Sequence, residues 1–167
     1  MKKYQYLFMM ICCATVFISC GNDNVVVDEV WKKQNEDFIL NLSFNTEYNR
    51  ISSQSNAGSI YYKVLKEGTG TSPIYYTDSV RVYYKGSLIT GEVFDEGRQY
   101  LEEEPATFTV AGVADGFSTA LQRMKEGDRW LVWMPYELGY GTTGDLSGKI
   151  KPYSALCFDM EVVEIIK

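Results

Sequence analysis

Apolar residues recur at two different spacings along this chain, and the change of spacing divides it into parts. From about Val26 to Tyr48, Val27, Trp31, Phe38 and Leu42 fall near one helical face, with Ile39 beside them. Asp28, Glu29, Lys32, Lys33, Glu36 and Asp37 fill the remaining surface, so the pattern predicts an amphipathic helix. An isolated helix of this length is marginal in water, and its stripe calls for a docking surface. Two surfaces suit it: the parent domain, which is the simpler arrangement, or the same helix of a second copy, which would give a homodimer. The polar stretch from Asn49 to Gly58 reads as a linker or loop.

From Ser59 onward the period falls to two. Segments 59–65, 79–86, 106–110, 129–134 and 155–166 read as strands; in the second, Val80, Val82 and Tyr84 alternate with Arg81, Tyr83 and Lys85. The last puts Leu156, Phe158, Met160 and Val162 on one face. One short helix interrupts them, with Asp115 as its expected N-cap and Phe117, Ala120, Leu121 and Met124 at helical spacing. Several antiparallel strands and a single helix predict an α+β domain whose curved antiparallel sheet wraps that helix.

The start of the chain follows neither pattern. Lys2 and Lys3 precede an apolar run from Leu7 to Ile18. A dozen residues fall short of the roughly 20 needed to span a bilayer, but they suit the core of a secretory signal. The run closes on Ser19, Cys20 and Gly21, and the segment FISC resembles the lipobox at which bacterial lipoproteins are cleaved and lipidated on cysteine. The expected organisation is a signal peptide over 1–19, a tether, helix and linker over 20–58, and a folded domain over 59–167. The expected setting is the envelope of a Gram-negative bacterium, on the periplasmic face, with Cys20 carrying a lipid anchor in the membrane. Cys12 and Cys13 leave with the signal, so Cys157 is the remaining thiol of the mature domain and no internal disulfide is available. Its place in an alternating strand suits a small packed residue.

Composition narrows the function classes. At 167 residues and 46% apolar, the chain has material for one ordinary domain with a real core. The net charge is −6, and cleavage at Cys20 leaves 14 basic against 22 acidic residues, a net of −8. No basic stripe offers a seat for nucleic acid. The chain has no histidine, which removes both a Ser-His-Asp triad and a histidine-ligated metal centre, and nothing in it asks for a cofactor. The segments GTTG and DLSG within 141–148 lack the lysine spacing of a phosphate-binding loop.

What recurs instead is aromatic. Tyr84 in VYYKG, Phe94 and Asp95 in GEVFDEG, Phe117 in ADGFSTALQRMKEGD, Tyr140 in ELGYG and Phe158 in LCFDMEV each sit inside a short motif. Five rings and one carboxylate suit a pocket that desolvates a small ligand and holds it by one or two hydrogen bonds. An acidic residue following VF in a strand region would be an expensive core filler unless its charge has a use.

In order and spacing, YYKVLKEGTG (61–70), VYYKG (82–86), VFD (93–95), ALQRMKEGDRW (120–130), PYELGYG (135–141) and FDMEVVEI (158–165) resemble the FKBP-type peptidyl-prolyl cis-trans isomerases over residues 59–167. That resemblance implies a shallow apolar bowl between helix and sheet and an activity that rotates Xaa–Pro bonds in proline-containing clients. By motif position, Tyr84, Asp95 and Tyr140 are the expected catalytic residues, with Asp95 the single buried carboxylate of the bowl. Phe94 lines one side, Phe117 is the floor (usually a tryptophan), and Phe158 closes the base. Val113 and Ala114 lie where the family offers a backbone N–H to the substrate. The resemblance further implies folding assistance to exported proteins and binding of macrolide inhibitors such as rapamycin. Departures from the family pattern are Phe117 for tryptophan, Ala114 for a larger aliphatic, Ala106 where a pocket-edge phenylalanine is common, and Lys149 and Lys151 in the long loop. They leave two alternatives beside the enzyme: a binding or chaperone module without useful turnover, and a lipoprotein in which the N-terminal helix is the functional part.

Overall fold

The computed structural model describes residues 27–97 and 104–167. The signal sequence, Cys20 and most of the tether lie outside the described residues. Helix α1 (Glu29–Ser43) begins where Asp28 Oδ1 accepts the Trp31 backbone N–H at 3.0 Å, satisfying one of the donors that a helix start leaves free. Strands β1 (Asn49–Ser52), β2 (Ser59–Lys66), β3 (Ser79–Leu88), β4 (Val93–Gly97) and β5 (Ala106–Thr109) follow, then helix α2 (Asp115–Leu121), β6 (Arg129–Met134) and β7 (Leu156–Ile166).

All strand pairs are antiparallel, in the order β1-β2-β6-β7-β3-β4. Strand β3 is the spine of the site. One edge of it pairs with β7 along its whole length, from Ser79↔Ile166 to Leu88↔Leu156. The other edge is shared, β5 taking residues 79–82 and β4 residues 84–87. The result is the α+β architecture that the alternation implied, a curved antiparallel sheet around one short helix.

Side-chain alternation sorts the two faces. Trp130, Val132 and Met134 of β6, and Leu156, Phe158, Met160 and Val162 of β7, are buried on the face that holds α2. Phe117, Ala120 and Leu121 of α2 are buried against them, and Met124 is buried just beyond the helix end. The helix approaches β6 very closely at Gly116: a Cβ there would lie 2.6 Å from Met134 Sδ and 2.9 Å from Met134 Cβ. Helix α1 docks on its own domain, the simpler of the two arrangements open to its stripe. Trp31 and Leu42 are buried, and the Phe38 ring lies 4.5 Å from that of Trp133, which points to the sheet face opposite α2. Burial of two such side chains is worth roughly 1.5–3 kcal/mol each.

Two local expectations change, and one holds. Part of the expected linker is strand: Asn49–Ser52 forms a hairpin with β2, Asn49↔Tyr62 to Ser52↔Ser59. Only Ile51 of its four residues is even partly buried, so the strand leaves no alternation to read. The N-cap of α2 is Ala114, in an extended conformation, while Asp115 opens the first turn and accepts a short hydrogen bond from Ser55 Oγ. Cys157 is buried as expected, and burial pushes its thiol up to about 12 despite a hydrogen bond from Ser87.

The close seat of α2 generates a prediction. Gly116→Ala is expected to lower unfolding free energy by about 1–3 kcal/mol, because the new methyl group overpacks a contact that is already full. Urea denaturation of both proteins measures this. An unchanged midpoint would show that the helix can lift from β6 at little cost.

Candidate active site

Between the start of α2 and the sheet lies a cavity of about 490 Å³. Four elements and two connections bring the residues named from sequence to its walls. Strand β3 supplies Tyr84, β4 supplies Phe94 and Asp95, β7 supplies Phe158, and α2 supplies Phe117. The turn before α2 brings Val113 and Ala114, and the loop after β6 brings Tyr140. The eight residues named from sequence therefore meet around one cavity. Phe108, Gly112 and Gly139 also line it, and none of the three was singled out in the sequence.

The rings hold one another edge to face. Phe117 stands at 90° to Phe158 with centroids 5.0 Å apart, at 69° to Phe108 at 5.8 Å, and at 89° to Tyr84 at 6.1 Å. Phe94 meets Phe158 at 86° and 5.6 Å. Pairs in this geometry contribute roughly 0.5–1.5 kcal/mol each beyond the area they bury. Gly86 makes the Phe94–Phe158 pair possible. A Cβ on it would fall 2.5 Å from Phe94 Cζ and 3.0 Å from Phe158 Cε1, so only a bare α-carbon lets both rings cross β3.

The polar groups gather at the mouth. Tyr84 Oη donates to Asp95 Oδ2 at 2.8 Å. Burial, and then that hydrogen bond, raise the Tyr84 hydroxyl well above the ordinary tyrosine range. Partial desolvation at the cavity wall also raises Tyr140, although that residue is 44% exposed, with the charges of Asp95 and Asp145 adding to it. Both hydroxyls therefore stay protonated, and able to donate, at any physiological pH. Asp95 departs from expectation. It lies on an edge strand and is exposed, not buried, so no buried-charge penalty attaches to it. Among the described residues the buried carboxylates are Asp78 and Asp128, and both serve the backbone. Asp128 accepts from Gly68 N at 2.7 Å and Lys125 N at 2.9 Å, and Asp78 accepts from Tyr75 N at 2.9 Å.

Two further expectations change at the walls. The aromatic wall residue thought to be missing at Ala106 is present as Phe108, two residues along the same strand face, with its ring 5.3 Å from Tyr84. Alternation through Ala106, Phe108 and Val110 was the signal that could have found it. The loop lysines, another departure from the family pattern, stay out of the cavity. Lys149 Nζ reaches the Phe94 carbonyl at 3.4 Å, Ile150 between them is buried, and Lys151 turns away to the Trp31 ring of α1. Neither lysine lines the cavity.

Comparison with known proteins agrees with this geometry. Residues 70–163, more than half of the chain, match the family model of the FKBP-type peptidyl-prolyl cis-trans isomerases. The chain is 40% identical to the macrophage infectivity potentiator of Trypanosoma cruzi, over 65% of this chain and 54% of that protein. It is also 40% identical to the FKBP-type 22 kDa peptidyl-prolyl cis-trans isomerase of Escherichia coli, over 67% of this chain and 52% of that protein. It thus spans about half the length of the curated relatives it matches. The crystal structure of a peptidyl-prolyl cis-trans isomerase from Pseudomonas syringae superposes with a TM-score of 0.70 at 27% identity, covering 83% of this chain and 96% of that one. An aromatic cavity under a short helix, a tyrosine–aspartate pair at its mouth and a family match running through both place this chain in the FKBP-type peptidyl-prolyl cis-trans isomerase family.

Proposed function

We propose that this chain is a peptidyl-prolyl cis-trans isomerase that assists the folding of exported or envelope proteins, and that Cys20 tethers it by lipid to the periplasmic face of the membrane. The observation that carries the enzymatic reading is the cavity itself: edge-to-face rings below, and tyrosine hydroxyls held as neutral donors at the rim.

The chemistry needs no proton transfer. Rotation about an Xaa–Pro bond is opposed by a barrier of roughly 18–20 kcal/mol, because the twisted amide loses its resonance. A planar amide carries more charge separation than a twisted one, so an apolar enclosure disfavours the ground state more than the transition state. Phe117 and the rings around it would take the proline ring. Tyr140 and the backbone N–H of Ala114 would hold the carbonyls that flank the rotating bond. Ala114 is the helix N-cap, and an N–H at that position has no partner inside the helix. Asp95 acts as an orienting group: hydrated itself, it fixes the direction of the Tyr84 hydroxyl. Uncatalysed isomerisation takes tens to hundreds of seconds, slow enough to limit folding of secreted chains. Cis/trans exchange of a short Xaa–Pro peptide, measured by NMR with the purified chain, tests the reading. Peptide binding without faster exchange would leave a binding module in its place.

Two expected outcomes concern this site and a third the N-terminal cysteine. Because Asp95 is exposed, Asp95→Val is expected to leave stability within about 0.5 kcal/mol of the parent. Peptide turnover should fall about tenfold, the worth of a hydrogen bond of roughly 1.5 kcal/mol to a charged partner. Thermal unfolding and the exchange assay on one preparation check both, and loss of the fold would make the residue structural.

Phe117 is buried at the floor, and tryptophan there would offer a ligand ~40 Å² more apolar surface, worth roughly 1 kcal/mol at 25 cal/mol per Å². Phe117→Trp is therefore expected to tighten rapamycin binding up to about fivefold, with calorimetry as the measurement. A variant as stable as the parent that binds no better would remove Phe117 from the floor.

Cys20→Ala is expected to release the folded domain from membranes. Partitioning after carbonate washing reads this directly, and unchanged membrane retention would sink the lipid-anchor assignment.

A further inference from the structure

The loop that carries Tyr140 is held at its far end by α1, although no residue of α1 lines the cavity. Asn35 is 1% exposed at the centre of the helix's buried stripe. Its Nδ2 donates to the Trp31 carbonyl at 2.8 Å, and its Oδ1 accepts the Ala155 backbone N–H at 2.8 Å. One turn earlier, Trp31 Nε1 donates to Ser154 Oγ at 3.0 Å, and that hydroxyl donates on to the Lys151 carbonyl at 2.7 Å. Two cations reinforce the contact from outside: Lys151 Nζ lies 5.3 Å from the Trp31 ring centroid and Lys32 Nζ lies 4.8 Å from that of Tyr153. Within the loop, Tyr153 N donates to the Gly141 carbonyl at 3.0 Å, which joins the clamped end to the residue beside Tyr140.

A leucine at position 35 would serve simple docking without the desolvation cost of a buried amide. Asn35 instead donates through its amide nitrogen and accepts through its amide oxygen, and a buried amide paired at both ends specifies one arrangement where an apolar contact tolerates several. We propose that Asn35 and Trp31 are positioning residues for the isomerase reaction: through Ala155 and Ser154 they fix the 139–155 loop, and with it the Tyr140 hydroxyl at the cavity mouth. This rests on the prolyl isomerase reading above. It gives α1, which lies outside the residues matched by the family model, a part in catalysis without contact with substrate.

The test uses the full chain with Trp31→Phe, which keeps an aromatic ring and removes the N–H, and Asn35→Leu, which keeps an apolar side chain of similar volume. Amide hydrogen exchange is followed at Tyr153 and Ala155, with β7 amides as the internal standard, and kcat/KM is measured on an Xaa–Pro peptide. Each substitution is also combined with Tyr140→Phe. Exchange at the two loop amides should rise about tenfold or more while β7 is unchanged. Turnover should fall about three- to tenfold in the parent background, and less than about twofold when Tyr140 is already phenylalanine. Equal losses in both backgrounds, or faster loop exchange with undiminished turnover, overturn the proposal, as does unchanged loop exchange. Should Asn35→Leu fail to fold, Trp31→Phe carries the same comparison. A parent chain that does not isomerise the peptide overturns the enzymatic reading, and loop exchange then decides by itself whether α1 holds the loop.

Discussion

The seat of α2 on β6 is the constraint from which the cavity follows. Gly116 lets the helix backbone settle against Met134 at a distance that no side chain would permit. The next residue, Phe117, is thereby delivered to the floor at a fixed depth, where Phe108, Phe158 and Tyr84 all meet it edge to face. These rings come from elements distant in sequence, and what makes them a wall is their common reference to one helix position. Gly86 plays the corresponding part on the sheet, clearing the strand so that Phe94 and Phe158 can lie across it. Two absent side chains therefore shape the cavity as much as the rings present in it.

Above that floor the site is organised by hydration. The charged group, Asp95, stays in contact with water, Tyr140 is exposed beside it, and the groups shielded from water are neutral rings. This arrangement keeps the interior apolar without a desolvated charge, which in low dielectric would have to be paired or neutralised. A charge inside the bowl would favour the more polar planar amide, working against rotation. The buried carboxylates Asp78 and Asp128 are spent on backbone N–H groups, fixing the segments before β3 and β6.

Much of this was legible in the residues. Period-two alternation located β2, β3, β5, β6 and β7, and helical spacing located α1 and α2, because each of these elements has one face against the core and the core selects apolar residues at the element's own period. The motifs named eight residues that the fold then brought to one cavity. The hairpin strand β1 left no such trace, being an edge strand whose one partly buried residue is Ile51. Phe108 was legible by alternation, since it shares a strand face with Ala106 in β5.

The sequence by itself determined the periodicities, the order of the motifs and the chemical inventory: no histidine, a wealth of tyrosine and phenylalanine, and a carboxylate beside one of those rings in a motif. Tertiary structure alone decided that Asp95 is exposed, that Phe108 completes the wall, and that Asn35 reaches across the chain to Ala155. The physical reason is that periodicity reports which face of an element is buried. Exposure at a strand edge and contact between distant segments depend on what else packs there, and that is a property of the whole fold.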